Sequence, residues 1–295
     1  DEVVAIIISY NPDIERLRQN VAAVSGQVSL VFIFDNKSDN CDEVFQFDGT
    51  GNCTVFLNEE NSGLPVSLNE GFRRALDMGV SYALLLDQDS VVSEGMVASL
   101  ANCMGESVGM VSPQIVDRNK NEGFSPSDIA VSVKRVITSG ALVRLDVWRE
   151  VGGFDERIFV DWADYEFCAN VRAHGYRIVR DMRTMILHEM GRREYVFTLP
   201  TPKGGRPFYR TNHSASRLKD KARSWAILEK KYGWSKVGRE ERAYINAIKL
   251  RDLVLERGRL QTLRAFAAGA REGRLVMKEG GDRNEQRRCS RSAEL

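Results

Sequence analysis

Two carboxylates separated by one residue, Asp87 and Asp89 in YALLLDQDSVV (82–92), follow an apolar run that reads as a buried strand. Like charges this close repel, and loss of water raises the cost of keeping each ionised. A cation between them removes both penalties. Carboxylate oxygens suit hard divalent ions, and Mg2+ takes one or two of them together with phosphate oxygens and water. Residues i and i+2 of an extended segment share a face, so both groups can address one ion. The competing use of these residues is a strand-ending turn, where Asp and Ser recur for their local hydrogen bonds.

Other groups of the same chemical kind follow other apolar runs. Asp35 and Asn36 open DNKSD (35–39), where an Asp can accept from the imide N–H of uracil or thymine, or close an Asx turn. The segment VGGFDERIFVDWADYEFCANVRAHGYRI (151–178) carries Asp155, Asp161, Asp164 and Glu166 ahead of helical spacing. Asp164 and Glu166 fall in the first turn, where acids stabilise a helix by about 0.3–1 kcal/mol each. His188, in ILHEMG, is one of three histidines, and its neutral imidazole can ligate a metal or fill a core or loop position. His174 reads as a helix-end residue.

The elements that must carry these groups alternate. VVAIIIS (3–9), VSLVFIF (28–34), CTVFL (53–57), YALLL (82–86) and VGMVS (108–112) are short and apolar on both faces, as central parallel strands are. Between them helices are predicted from Pro12 to Val24, Pro65 to Met78 and Ser93 to Met104. That alternation predicts an α/β parallel sheet, in which ligands gather outside the carboxyl ends of the strands. Ser9, Tyr10 and Asn11, DNKSD, NEENSG (58–63) and DQDS (87–90) should then crowd one edge. The first turn, SYNPD, has no glycine, which excludes a GxGxxG dinucleotide site and a GxxxxGK[ST] P-loop. Residues 117–131 read as a polar flap, 133–144 as a strand, and 163–174 as an amphipathic helix ended by Gly175. From about 213 the pattern is helical and basic, and beyond Glu279 the composition predicts disorder.

Composition narrows the class. A 43% hydrophobic and 28% charged chain is ordinary for a globular protein, and no apolar run reaches membrane-spanning length. With no signal peptide visible, a cytoplasmic location is expected. Five scattered cysteines without CxxC spacing predict free thiols rather than disulfides or a zinc site. The net charge of +1 hides an asymmetry: residues 203–295 hold 24 Lys/Arg against 11 Asp/Glu, and the rest of the chain reverses that balance, 18 against 30. A basic end can meet an anionic membrane surface, pack as a solvated helical face, or form a homodimer contact. It lacks the aromatic stacking or zinc motifs of a nucleic-acid binder.

Taken in order, DNKSD, NSGLPVSLNEG (61–71), LLLDQDS (84–90), ITSGALVR (137–144) and GGFDERIFVDWADYEFC (152–168) resemble family 2 glycosyltransferases of the GT-A fold. LLLDQDS followed by F-x-D-x-x-D-x-E-x-C is similar to the bacterial rhamnosyltransferases of O-antigen and capsule assembly. The resemblance implies a GT-A α/β domain over 1–210, with a nucleotide-sugar half to about 112 and an acceptor half to 210. A basic helical extension over 211–279 and a disordered tail over 280–295 would follow. It implies inverting transfer from a nucleotide-diphosphate sugar, dTDP-β-L-rhamnose, to a hydroxyl of a glycan, free or lipid-linked, by an enzyme at the inner face of the cytoplasmic membrane. UDP-galactose or UDP-glucose as donor, and a non-catalytic glycan-binding relative, are the alternatives. Asp164 falls at the general base and Glu166 at the acceptor side. Asp35 and Asn36 fall at the base of the nucleotide, Ser9, Tyr10, Asn11, Asn61, Gly63 and Asn69 beside it, and Asp87, Gln88 and Asp89 at the ribose and diphosphate. Asp87, Asp89 and His188 would hold Mg2+ or Mn2+. His213 and Arg217, in HSASR, resemble an H-S-P-x-R stretch of these enzymes, with Ala215 in place of Pro. Pro65, Val66 and Ser67 replace small residues after the loop glycine, and Ala163 stands where relatives carry an acid.

Overall fold

The computed structural model describes residues 2–119, 124–189, 191, 194–201 and 204–292, with backbone alone at 201, 206 and 280–292. Contacts divide the chain into two units: Asp1–Glu156 with Ala163–Met190, and Arg157–Trp162 with Gly191–Leu295.

The first unit begins β1 (Val3–Ser9), α1 (Ile14–Ser25), β2 (Leu30–Asp35), α2 (Cys41–Phe45), β3 (Cys53–Leu57), α3 (Leu64–Asp77) and β4 (Tyr82–Asp87). It continues with β5 (Val91–Val92), α4 (Met96–Ala101), β6 (Val108–Asp117), β7 (Ala130–Val133), β8 (Leu142–Arg144), α5 (Leu145–Val151), α6 (Ala163–Ala173) and β9 (Arg177–His188). The sheet runs β3-β2-β1-β4-β8-β6-β9-β5, with β7 also on β9. β3, β2, β1 and β4 are mutually parallel, as are β6 and β9, whereas β8 is antiparallel to both its neighbours.

The alternation of side chains explains why β1 is apolar from Val3 to Ile8. Val3, Ala5 and Ile7 enter the core that contains Leu17, Val21 and Val24 of α1, while Val4 and Ile6 enter the core that contains Leu68, Phe72 and Ala75 of α3. Both faces are covered, so the strand stays apolar until Ser9, whose hydroxyl is paired with Asp35. Each fully buried Leu, Ile or Phe contributes about 1.5–3 kcal/mol. The helix starts are specified locally: Asp13 caps α1 by accepting from the N–H groups of Glu15 and Arg16. Pro65 lies in the first turn of α3, where its missing N–H has no intrahelical partner in any case.

Two predicted elements change. The run 133–144 is a strand only from Leu142, because Gly140, at φ +83°, turns the chain into β8. Part of the polar 117–131 stretch is strand β7, and residues 120–123 of that stretch lie outside the described residues.

The second unit contains the hairpin β10 (Glu194–Thr201) and β11 (Gly204–Arg210), then α7 (Ala215–Tyr232), α8 (Lys236–Leu255) and α9 (Arg259–Ser292). Its hairpin packs with α8 and groups by contacts with the helices that follow. α7 and α9 lie close because Gly269 and Gly273 face α7: a Cβ on Gly273 would stand 2.4 Å from the Arg223 carbonyl. The backbone of α9 continues to Ser292, so residues 280–292 are helical where a disordered tail was expected; Arg, Glu and Gln in that stretch are good helix formers. Residues 293–295 lie outside the described residues. Among the described residues no helix is long and apolar enough to cross a membrane.

Candidate active site

Strand order reverses between β1 and β4, the place where an open α/β sheet leaves a crevice. Register brings the strand ends level: Ser9 opposes Asp35, and Ile8 opposes Asp87. The turn after β4 is pinned on every side. Asp87 donates its N–H to Ser139 Oγ at 3.1 Å and accepts at its carbonyl from Asn20 Nδ2 at 2.7 Å. Gln88 Oε1 accepts from the Tyr10 N–H at 2.8 Å, and the Asp89 carbonyl accepts from Arg118 Nη2 at 3.3 Å.

His188 reaches this turn through sheet register. β5 is antiparallel to β9, with Val91 opposite Leu187, and continuing that register sets His188 opposite Ser90. Its Nδ1 lies 3.5 Å from Asp89 Oδ1, 3.8 Å from Asp87 Oδ2 and 3.1 Å from Ser90 Oγ. Ser90 Oγ is in turn 2.6 Å from Ser139 Oγ. One donor atom from each of Asp87, Asp89 and His188 lies within 4.8 Å of the others. Asp89 Oδ1 is buried with no hydrogen bond, the condition expected of a ligand atom waiting for a cation. Two carboxylates and an imidazole suit Mg2+ or Mn2+, so the residues fit the metal.

Electrostatics here are unbalanced. Burial pushes the Asp87 carboxyl up, Asp89 pushes it further, and His188 opposes both. Burial disfavours the His188 imidazolium, but the nearby carboxylates of Asp89 and Asp87 outweigh it and raise its pKa.

Several expected residues occupy other roles. Asp35 is fully buried: its Oδ1 accepts from the Ser9 and Ser38 hydroxyls and its Oδ2 from the Ser38 N–H. These bonds hold the β2 turn. Asn36 is also buried, accepting at Oδ1 from Asn58 Nδ2 and Ser67 Oγ. Asn69 is buried on α3. Its amide donates to the Phe154 carbonyl and Glu156 and accepts from Trp148 Nε1 and the Phe154 N–H, which exhausts its capacity. It ties α3 to the Gly-Gly turn. Asn61 closes a small turn by accepting from the N–H of Gly63, which takes φ +92° immediately before α3.

Tyr10 and Asn11 are exposed at the crevice; Asn11, at φ +47°, donates its N–H to Ser38 Oγ and accepts at Oδ1 from the Asp39 N–H. Asp164 is half-buried in the first turn of α6 and accepts the Tyr165 N–H at 2.8 Å. Glu166, expected at the acceptor side, is fully buried. Two positions along a helix rotate a side chain by about 200°, so Asp164 and Glu166 cannot share a face. His174 is a helix-end residue as expected, with Nδ1 2.9 Å from the Asn170 carbonyl. His213 and Arg217 lie in the second unit.

Asn20, Ser139 and Arg118 were not expected in the site. Asn20 is fully buried on α1, a polar residue at an otherwise apolar helix position, and that was the one available signal.

Comparisons with known proteins agree with this arrangement. The family model described as glycosyl transferase family 2 matches residues 4–168. The chain is 25% identical over 214 residues to the dTDP-rhamnosyl transferase RfbF of Shigella flexneri, covering 64% of this chain and 69% of that protein. It is 27% identical over 227 residues to the uncharacterized protein Mb1552 of Mycobacterium bovis, covering 72% and 79%. Among solved structures it is similar to GalNAc-T7 with UDP, GalNAc and Mn2+, at TM-score 0.59 and 14% identity over 92% of this chain and 56% of that one. It is also similar to Staphylococcus aureus TarS 1-349 in complex with UDP-GlcNAc, at TM-score 0.59 and 12% identity over 91% and 79%. These likenesses show the GT-A fold, and the matched model shows the family. The chain belongs to glycosyl transferase family 2.

Proposed function

We propose that this glycosyltransferase moves rhamnose from dTDP-β-L-rhamnose, with inversion, to a hydroxyl of a lipid-linked glycan in bacterial surface polysaccharide synthesis. The observation that carries the reading is the Asp87, Asp89 and His188 group at the β1/β4 crevice, in a chain similar to a dTDP-rhamnosyl transferase. Asp87, Asp89 and His188 hold Mg2+ or Mn2+; when bound, the ion supplies positive charge to the departing diphosphate. The exposed Tyr10 ring covers one face of the nucleobase, above a turn shaped by Asp35 and Asn36. Gln88 holds the β1 end against β4, so that Ser9, Tyr10 and Asn11 keep their place beside the nucleoside. Gly63 and Asn61 set the loop that leads into α3 on the nucleotide side.

Asp164 takes the proton of the acceptor hydroxyl as it attacks, and no covalent intermediate is needed. The Tyr165 N–H bonds to one oxygen of its carboxylate and holds it in the first turn of α6. Glu166 supports α6 from the buried side.

The basic second unit meets the anionic cytoplasmic leaflet, where lipid-linked acceptors reside. Exposed Leu250, Val254, Leu260 and Leu263 supply apolar contact beside that charge. Vesicle co-sedimentation that ignores anionic lipid content would remove this part alone.

Donor choice is tested by measuring nucleotide release from dTDP-β-L-rhamnose, UDP-glucose and UDP-galactose in competition. Preferential turnover of dTDP-rhamnose supports the reading; turnover of a UDP-sugar alone replaces it. Binding of nucleotide with no turnover of any donor would make the chain a non-catalytic relative.

A further inference from the structure

The segment Arg157–Trp162 belongs by its contacts to the second unit, yet the chain passes from Trp162 directly into α6, whose first turn carries Asp164. Trp162 has φ +78°. A bulky residue adopts that left-handed conformation only when its surroundings impose it, at a cost in backbone strain. The surroundings are specific. The buried Trp162 ring meets Trp225 edge-on at 5.7 Å and Tyr244 at 5.7 Å, and Trp225 is itself held against Phe266.

Asp161, the preceding residue, accepts from Arg217 Nε at 3.0 Å and from Nη2 at 3.1 Å. A two-pronged guanidinium contact fixes direction as well as distance. Arg217 is rigid at its own root: Ser214 Oγ caps α7 by accepting the Arg217 N–H. This gives HSASR a physical reading, with Ser214 as the cap and Arg217 as the clamp.

We propose that Arg217 and Trp162 are positioning residues, which lock the backbone turn at 161–162 and thereby set the start of α6 and the direction of Asp164. The proposal rests on Asp164 being the base. Strain at Trp162 is the cost of a turn that ordinary backbone geometry would not make, and the ion pair and ring contacts are what maintain it.

The test uses the full chain, with hydrogen exchange across residues 160–170 and dTDP release from dTDP-β-L-rhamnose measured on the same preparations. Arg217→Met should speed exchange at 161–168 about fivefold, as loss of a half-exposed ion pair allows. It should lower kcat about 10- to 100-fold while leaving dTDP affinity within about twofold, because a displaced base costs rate rather than donor binding. Arg217→Lys should restore only part of both effects, since an ammonium cannot form the fork. If Arg217→Met does not fold, Asp161→Asn keeps the shape and should move exchange and kcat in the same directions by less. Unchanged exchange and kcat, or a fall in dTDP affinity matching the fall in kcat, would overturn the proposal. Asp164→Asn with wild-type turnover removes the base reading alone, and exchange at 161–168 decides the clamp in either event.

Discussion

In the second unit, Lys221 Nζ lies 2.7 Å from Asp252 Oδ2 while Arg251 closes on Asp252 Oδ1 at 2.6 Å, so a carboxylate only 1% exposed is met by two cations. In the first unit, Asp87 and Asp89 face one imidazole at 3.8 and 3.5 Å, and Asp89 Oδ1 is buried without a hydrogen bond. Both clusters take charge out of water, but of the two only the Asp252 cluster of the second unit is neutralised by the chain itself. A satisfied cluster is structural; an unsatisfied one marks where external charge is to be bound.

That contrast predicts opposite responses to mutation. The largest effect belongs to the satisfied pair. Lys221→Met leaves Asp252 buried with Arg251 as its remaining partner and should cost about 3–5 kcal/mol in urea unfolding, whereas Lys221→Met with Asp252→Leu should recover most of it. If the single and double variants lose equally, the pair is not the source of the stability. Asp89→Asn should do the reverse, lowering turnover about 10²- to 10³-fold while leaving the unfolding midpoint unchanged or raised, since it removes a charge with too little compensation. A large loss of stability there would make the two clusters alike.

A smaller effect tests whether the distinction follows satisfaction rather than location. Asp181 is in the first unit and fully buried, but accepts from Ser99 Oγ at 2.6 Å, Arg183 Nε at 2.8 Å and the Arg183 N–H at 3.0 Å. Burial pushes its carboxyl up, yet these hydrogen bonds and the Arg183 charge hold it below the usual value. A depressed folded pKa contributes stability that is complete above the unfolded pKa of about 4 and disappears as pH falls through the folded value. Asp181→Asn should therefore cost about 1.5–3 kcal/mol at pH 7, and less as the pH falls below about 4. A pH-independent difference between variant and wild type would contradict the assignment.

Legibility in the sequence followed the range of the interactions. β1 to β4 and their helices are written as local runs and starts, and the Asp87/Asp89 spacing is visible within one turn. Ser90, Ser139 and His188 form their chain only because β5 pairs with β9, a pairing between segments far apart in sequence and too short in β5 to show a pattern. Asp35 ends β2 and Asn69 lies within α3, and motif position alone did not show the buried hydrogen bonds that each one makes across the fold. Glu166 lies two residues after Asp164, and helical rotation sets it on the buried face of α6 while Asp164 stays half-buried.

We propose that the Asp87, Asp89 and His188 group is completed by a divalent cation and a nucleotide diphosphate together. Calorimetric titration of dTDP into the full chain, with Mn2+ and then with EDTA, tests it directly. The account predicts tight binding with Mn2+, at least about tenfold weaker binding in EDTA, a loss of about 1.4 kcal/mol or more, and no Mn2+ dependence in Asp89→Asn. Equal affinity for dTDP with Mn2+ and with EDTA would contradict it.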